Sequence, residues 1–301
     1  MKLLQKISCL LIAVGLQACV TGPKYTPLTQ ETKANIGTAS TYNLIVQDEI
    51  KPDVDLINTT AALGGGLIGA MIDSSVNDDR ATEARSGLQP LYDEIVDLDH
   101  RKTIADKFNQ ALASSLPLSD IKDTAESIIL GDKELVAKIK KLAKGEAMVL
   151  TNTFYQFRMQ SKMLQTISTA FIFLNSENPK ISKPHYFNTF YYQSPLIGSG
   201  GQNSINEWAA DGADLFRSEL EKSAQQTADW MQYDMQTIRD EKCIAGGVIT
   251  VPMNQGSLKV KGNVIKDENE NKVLRGNNGH LYIVASESVT KAKVKTCQVG
   301  E

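Results

Sequence analysis

The chain has 301 residues, 42% hydrophobic and 22% charged, with 32 Lys and Arg against 35 Asp and Glu. This length and balance suit one large or two smaller globular domains and exclude a largely disordered chain. The net charge of −3 argues against a general nucleic-acid binder, which needs clustered Lys and Arg against phosphate.

The N-terminus has the form of an export signal. Lys2 and Lys6 are its basic part, and Ile7 to Leu16 its apolar core. That core is too short to span a bilayer, which takes roughly 20 residues. It closes on Leu16-Gln17-Ala18-Cys19, a small residue and a thiol at the cleavage point. Here the chain resembles bacterial outer-membrane lipoproteins. The resemblance covers residues 1–19 and implies removal of residues 1–18 and acylation of Cys19 by diacylglycerol and an N-acyl chain such as palmitate. Cleavage removes Lys2 and Lys6 and no acid, taking the net charge to −5. Val20, in place of an aspartate after the cysteine, implies by the same resemblance the outer membrane, with the folded part facing the periplasm. More than one acyl chain gives stable anchoring, at roughly 0.8 kcal/mol per buried methylene.

Residues 19–40 contain prolines, glycines and hydroxyls without an apolar period, and are expected to be the lipidated N-terminus and a flexible tether. Tyr42, Leu44 and Val46 alternate as a strand that ends near Pro52. Next comes the apolar, glycine-rich stretch 61–72. Ala61, Gly65 and Gly69 recur every four residues, as do Ala62, Gly66 and Ala70. On a helix this makes a smooth face for close backbone approach, similar to a glycine zipper. The stretch fits internal packing, membrane contact, or homo-oligomerisation.

Ala84, Leu88, Leu91, Ile95 and Leu98 have helical spacing broken by Pro90, which predicts a kink or two short helices. Asp99 is a candidate N-cap for a helix with Ile104, Phe108 and Leu112 on one face. A short strand fits within 120–130. Asp132 opens a helix with Leu135, Val136, Ile139 and Leu142 inward and Lys138, Lys140, Lys141 and Lys144 outward, stopped by Gly145. Those lysines have two readings, a solvated face and a patch for an anionic partner.

Residues 147–159 and 163–174 are β-branched and aromatic and predict a hairpin, with a third strand over 185–193. Their aromatic side chains have two readings, core and cross-strand packing and a platform for stacking a ligand or glycan. Ser204 and Glu207 have capping-box spacing ahead of a long helix, whose apolar face runs through Trp208, Gly212, Leu215, Phe216, Leu220, Ala224, Thr227, Trp230 and Met231. The order of elements is weakly similar to the penicillin-binding-protein activator and curli secretion-channel lipoproteins. That likeness carries no functional residue over.

After residue 240 the composition turns to glycine, valine and lysine with frequent turn signals, Asn278-Gly279 above all, which predicts a small β-module over 241–301. Cys243 and Cys297 lie at its two ends. With Cys9 removed and Cys19 acylated, they are the two thiols of the mature chain, and in an oxidising periplasm they are expected to form a disulfide. Such a loop closure is worth about 4 kcal/mol in the chain-entropy model.

His100, His185 and His280 are isolated in sequence, and no zinc, redox or nucleophile-elbow motif is present. The expectation is therefore an α+β protein: an antiparallel sheet packed by helices over 41–240, an α/β sandwich, followed by the β-module. No catalytic residue, metal site or cofactor is assigned. The expected role is a non-enzymatic interaction or scaffold component of an envelope assembly, bound to membrane lipid through Cys19 and to an envelope protein or peptidoglycan. The second reading is an oligomeric transport or secretion component using residues 61–72.

Overall fold

The computed structural model describes residues 24–44, 82–98, 100–116, 121–123, 132–175, 180, 183–236, 245–252, 257–267 and 271–291. The fold is α+β with a C-terminal strand module. A short helix α1 (Gln30–Ala34) leads into β1 (Thr38–Leu44). Residues 82–87 are helical, and α2 (Gln89–Glu94) follows at once with Pro90 in its first turn. Proline has no amide hydrogen to place there, so the expected break falls just ahead of it. Then come α3 (His100–Ser115), β2 (Ile121–Asp123) and α4 (Asp132–Lys140). The strands β3 (Glu146–Arg158), β4 (Met163–Leu174) and β5 (Tyr186–Gln193) precede the long helix α5 (Gln202–Gln236). The C-terminal strands are β6 (Ala245–Pro252), β7 (Ser257–Asp267), β8 (Asn271–Gly276), β9 (Leu281–Ala285) and β10 (Val289–Lys291).

The ten strands of the described residues form one sheet, in the order β10-β6-β7-β8-β9-β5-β4-β3-β1-β2. The predicted hairpin is present, with β3 and β4 antiparallel over twelve residue pairs from Ala147–Leu174 to Arg158–Met163. The sheet is mixed rather than purely antiparallel. β1 runs parallel to both β2 and β3, and β9 runs parallel to β5. The C-terminal module thus extends the sheet edge to edge from β5.

Helices α3 and α5 lie on one face. Phe108 and Leu112 of α3 and Ala224, Ala228 and Met231 of α5 share a buried cluster with Val149, Ala170, Ile172 and Phe190. Toward the start of α5, Trp208, Phe216 and Leu220 join Leu88, Leu91, Tyr155 and Phe157 in a second cluster. On the opposite face, Leu135 and Ile139 of α4 cover Met148, Leu150 and Phe173. Beside them the sheet curls on itself. Gln165 Nε2 of β4 reaches the carbonyl of Pro252 in β6, five places away in strand order, at 3.5 Å. The curl encloses Ile249, Val251, Val260, Leu274, Tyr282 and Val284. The register shift between Val264 and Lys266 is of the kind that tightens strand twist.

Three expectations need correction. The tether reading of residues 19–40 does not hold over residues 24–40. Thr26 exchanges both backbone hydrogen bonds with Phe187, Thr29 caps α1, and Leu28 and Ile36 are buried in the main core. A segment with few apolar residues docks because two of them, correctly placed, are enough. The second correction concerns α5, which is broken at Ala210–Ala213, where Asp211, Gly212 and Ala213 have positive φ. The break resets the helical phase, so Leu215, expected inward, is 37% exposed. Ser204 also sits inside the helix, two residues past its start. Its hydroxyl turns back to accept from Gly200 N and donate to the Ile197 carbonyl, so the Ser204–Glu207 capping box is replaced by a loop tie.

Candidate functional site

Cys19, the six small residues Ala61, Ala62, Gly65, Gly66, Gly69 and Ala70, and Cys243 and Cys297 all lie outside the described residues. The structure instead brings together a buried polar centre around Asp234, which no sequence motif announces.

Asp234 lies on the inward face of α5, one turn beyond Trp230 and Met231, and its side chain is fully buried. Its two carboxylate oxygens face four donors. Arg275 Nη1 of β8 is 2.8 Å from Oδ1, and the Tyr25 hydroxyl is 3.5 Å from it. The Tyr186 hydroxyl and Asn188 Nδ2, both of β5, each lie 2.8 Å from Oδ2. An ionised carboxylate accepts only, so Asn188 must turn its amide nitrogen toward it. That leaves Asn188 Oδ1 to accept from Thr189 N and to meet His280 Nδ1 at 3.1 Å. An amide oxygen cannot donate, so the proton of His280 is on Nδ1.

The same geometry sets the titration of these groups. Burial, reinforced by the Asp234 charge and hydrogen bond, holds the Tyr186 phenol well above its usual range. Burial is the main cause lowering His280 to about 4; Arg275 adds to the fall and Asp234 opposes it. The centre therefore contains a protonated phenol and a neutral imidazole at neutral pH.

Four segments meet here: the N-terminal residues through Tyr25, β5, the end of α5, and the β8–β9 hairpin. Gly279, at φ +83° in that hairpin, gives the Tyr25 ring its seat. A Cβ there would fall 2.3 Å from ring carbons of Tyr25. Arg275 covers the ring at 5.6 Å and also donates to the Gly279 carbonyl. Both Asp234 oxygens and Asn188 Oδ1 are used inside the protein, so the chemistry of the centre is that of holding segments in place.

His100 is buried edge-on against Tyr155 and borders a cavity of about 230 Å³ with Arg217 and Glu221. Arg217 is committed structurally: it donates to the carbonyls of Gly212 and Glu94 and to the Asp97 carboxylate. The hydrogen bond from Arg217 is the largest cause that lowers the Asp97 pKa. His185 accepts from Leu174 N, and burial lowers its pKa. The three histidines thus sit at separate places. Among the described residues no group of three His, Cys, Asp or Glu side chains could hold a metal ion, and no helix is long and apolar enough to cross a membrane. The aromatic residues of β3–β5 are mostly packed: Tyr155, Phe157, Phe173, Tyr186, Phe187, Phe190 and Tyr192 are buried.

Sequence reasoning missed Asp234 and Arg275 because each looks like an ordinary charged residue between apolar neighbours. The available signal was positional. Asp234 falls seven residues after Thr227 and four after Trp230, on the face that must be buried.

Fold and site together define an α+β protein with a self-satisfied ionic centre that locks its N-terminal segment to a curled sheet. No family model matches the chain, and no curated protein matches it.

Proposed function

We propose that the chain is an outer-membrane lipoprotein acting as a non-enzymatic interaction or scaffold component of an envelope assembly, anchored by Cys19 and facing the periplasm. The supporting observation is the docking of residues 24–36. Tyr25 is bound into the ionic centre only six residues after Cys19, so an acyl anchor there would keep the folded body within about 20 Å of the bilayer surface. A body held in that way presents its surfaces to partners at the membrane, as a scaffold requires. The test is the mass of the mature N-terminus together with membrane fractionation, in the wild type and Cys19→Ser. Diacylglyceryl-cysteine at residue 19 and release of the variant from the membrane are expected. An unmodified Cys19 in membrane-free protein would refute the reading.

The second reading is an oligomeric transport or secretion component using residues 61–72. Chain geometry supports it. β1 leaves at Leu44 and the chain returns at the helix of residues 82–87, whose Gly87 lies beside Gln202. This is the end of the molecule where Val96, Met159, Leu196 and Leu215 expose apolar surface. A defined oligomer lost in Gly65→Leu, Gly69→Leu would favour it over the first reading.

A further inference from the structure

The two ends of the sheet differ in charge. At the end holding Tyr25, backbone connections gather several separated segments. Lys24 precedes Tyr25 itself. The Lys261 carbonyl accepts from Asn277 N, in the hairpin that seats the Tyr25 ring. The Gly145 carbonyl, after α4, accepts from Gly37 and Thr38, bringing Lys141 and Lys144 to this end. Lys180 and Lys183 lead into β5, whose first residues pair with the last of β4. All six lysines are exposed. The described carboxylates beside them are Glu31 and Glu146, and Glu146 accepts from Ala143 N. At the opposite end, Asp93, Glu94, Glu207, Asp211 and Asp214 of α2 and the first part of α5 are exposed, and Asp97 just after α2 is exposed and paired with Arg217.

We propose that the lysine end of the sheet is a docking surface for anionic phospholipid headgroups, so that the body lies on the membrane with its acidic, apolar-tipped end pointing away. Position and charge agree. Counted from Cys19, six residues of fully extended chain reach about 20 Å, so the end bearing Tyr25 cannot leave the bilayer surface by more than that. Within a Debye length of anionic lipid, each exposed lysine gains attraction, and the carboxylates of the far end are repelled. The lysines come from four stretches of sequence, and no one stretch is basic enough to draw notice. The leash argument rests on the proposed acylation of Cys19, whereas the charge argument stands without it.

The test is amine-reactive footprinting of the full mature protein on vesicles of phosphatidylcholine alone and with about a third phosphatidylglycerol. Lys24, Lys144, Lys180, Lys183 and Lys261 are expected to lose reactivity by at least about threefold on the anionic vesicles, reversibly with salt, while Lys102 and Lys133 keep theirs. Equal protection of both sets, or of neither, overturns the proposal. Mass analysis of the same sample reports acylation. If Cys19 is unmodified, the anchor reading falls while the pattern of protection on added vesicles still decides the surface. Lys144→Glu with Lys183→Glu, both at exposed positions, is expected to weaken binding of the unacylated Cys19→Ser chain to anionic vesicles by about tenfold with an unchanged circular-dichroism spectrum. Binding unaffected by that double reversal also overturns the proposal.

Discussion

Replacing Asp234 by alanine removes the one acceptor shared by Arg275, Tyr186 and Asn188. The carboxylate is fully buried and the Arg275 side chain is 16% exposed, so water is a poor substitute partner. Removing one member of a buried pair leaves the other charged and uncompensated, which costs about 3–5 kcal/mol. The orphaned Tyr186 hydroxyl and Asn188 amide contribute within that figure rather than on top of it, because the three donors relax together. Against a typical stability of about 5–15 kcal/mol this is a large fraction. With a urea slope of about 3 kcal/mol/M, the unfolding midpoint of Asp234→Ala should fall by more than about 1 M. The mechanism also predicts non-additivity. In Asp234→Leu with Arg275→Met the charge is removed along with its partner, and the double variant should regain at least about half the loss. A single variant within about 1 kcal/mol of wild type, or a double variant that loses the sum of its singles, would refute the account of the centre as a desolvated lock.

Three further outcomes test other parts of the structure. His280 titrates near 4 when folded and near its ordinary value of about 6.5 when unfolded, so between these values the unfolded chain binds the extra proton. Stability is therefore intact above about pH 6.5 and falls as pH drops toward 4, by on the order of 2–3 kcal/mol. His280→Asn should flatten the urea midpoint between pH 6.5 and 4.5 by close to one proton of slope; an unchanged slope would count against burial as the cause. Gly279→Ala should unseat Tyr25, costing about 1–3 kcal/mol and exposing the bond after Lys24 to trypsin in otherwise folded protein. Unaltered proteolysis would mean that the ring is not held against the hairpin. Gln193 is fully buried, and among the described residues neither its Oε1 nor its Nε2 has a hydrogen-bond partner. Gln193→Met should therefore raise stability by about 1 kcal/mol in thermal unfolding, and a clear destabilisation would contradict the desolvation argument.

Legibility along the chain followed the range of the interactions involved. The β3–β4 hairpin, the break at Pro90, the C-terminal strands and the Asn278-Gly279 turn are local events, settled by side-chain type and backbone preference over a few residues. The three misjudged features each depend on distant contacts. Residues 24–40 lack an apolar period, yet Leu28 and Ile36 find a core made by strands more than a hundred residues away. The phase of α5 is reset by three positive-φ residues, one of them Gly212, a residue that by itself signals little within a helical pattern. Glu207 does not close a capping box because the loop before the helix claims Ser204 first.

By itself, the sequence determined the α+β class and most element positions, because these follow from local periodicity, propensity and turn chemistry. Tertiary structure alone decided that β9 lies beside β5, so that ten strands share one sheet, and that the sheet curls until β4 meets β6. It also made a buried ionic centre from Tyr25, Tyr186, Asn188, Asp234 and Arg275, and a basic end from lysines scattered between 24 and 261. Pairing of strands and of charges depends on which segments meet in space. A carboxylate on an amphipathic helix has the same local signature whether it faces water or a guanidinium.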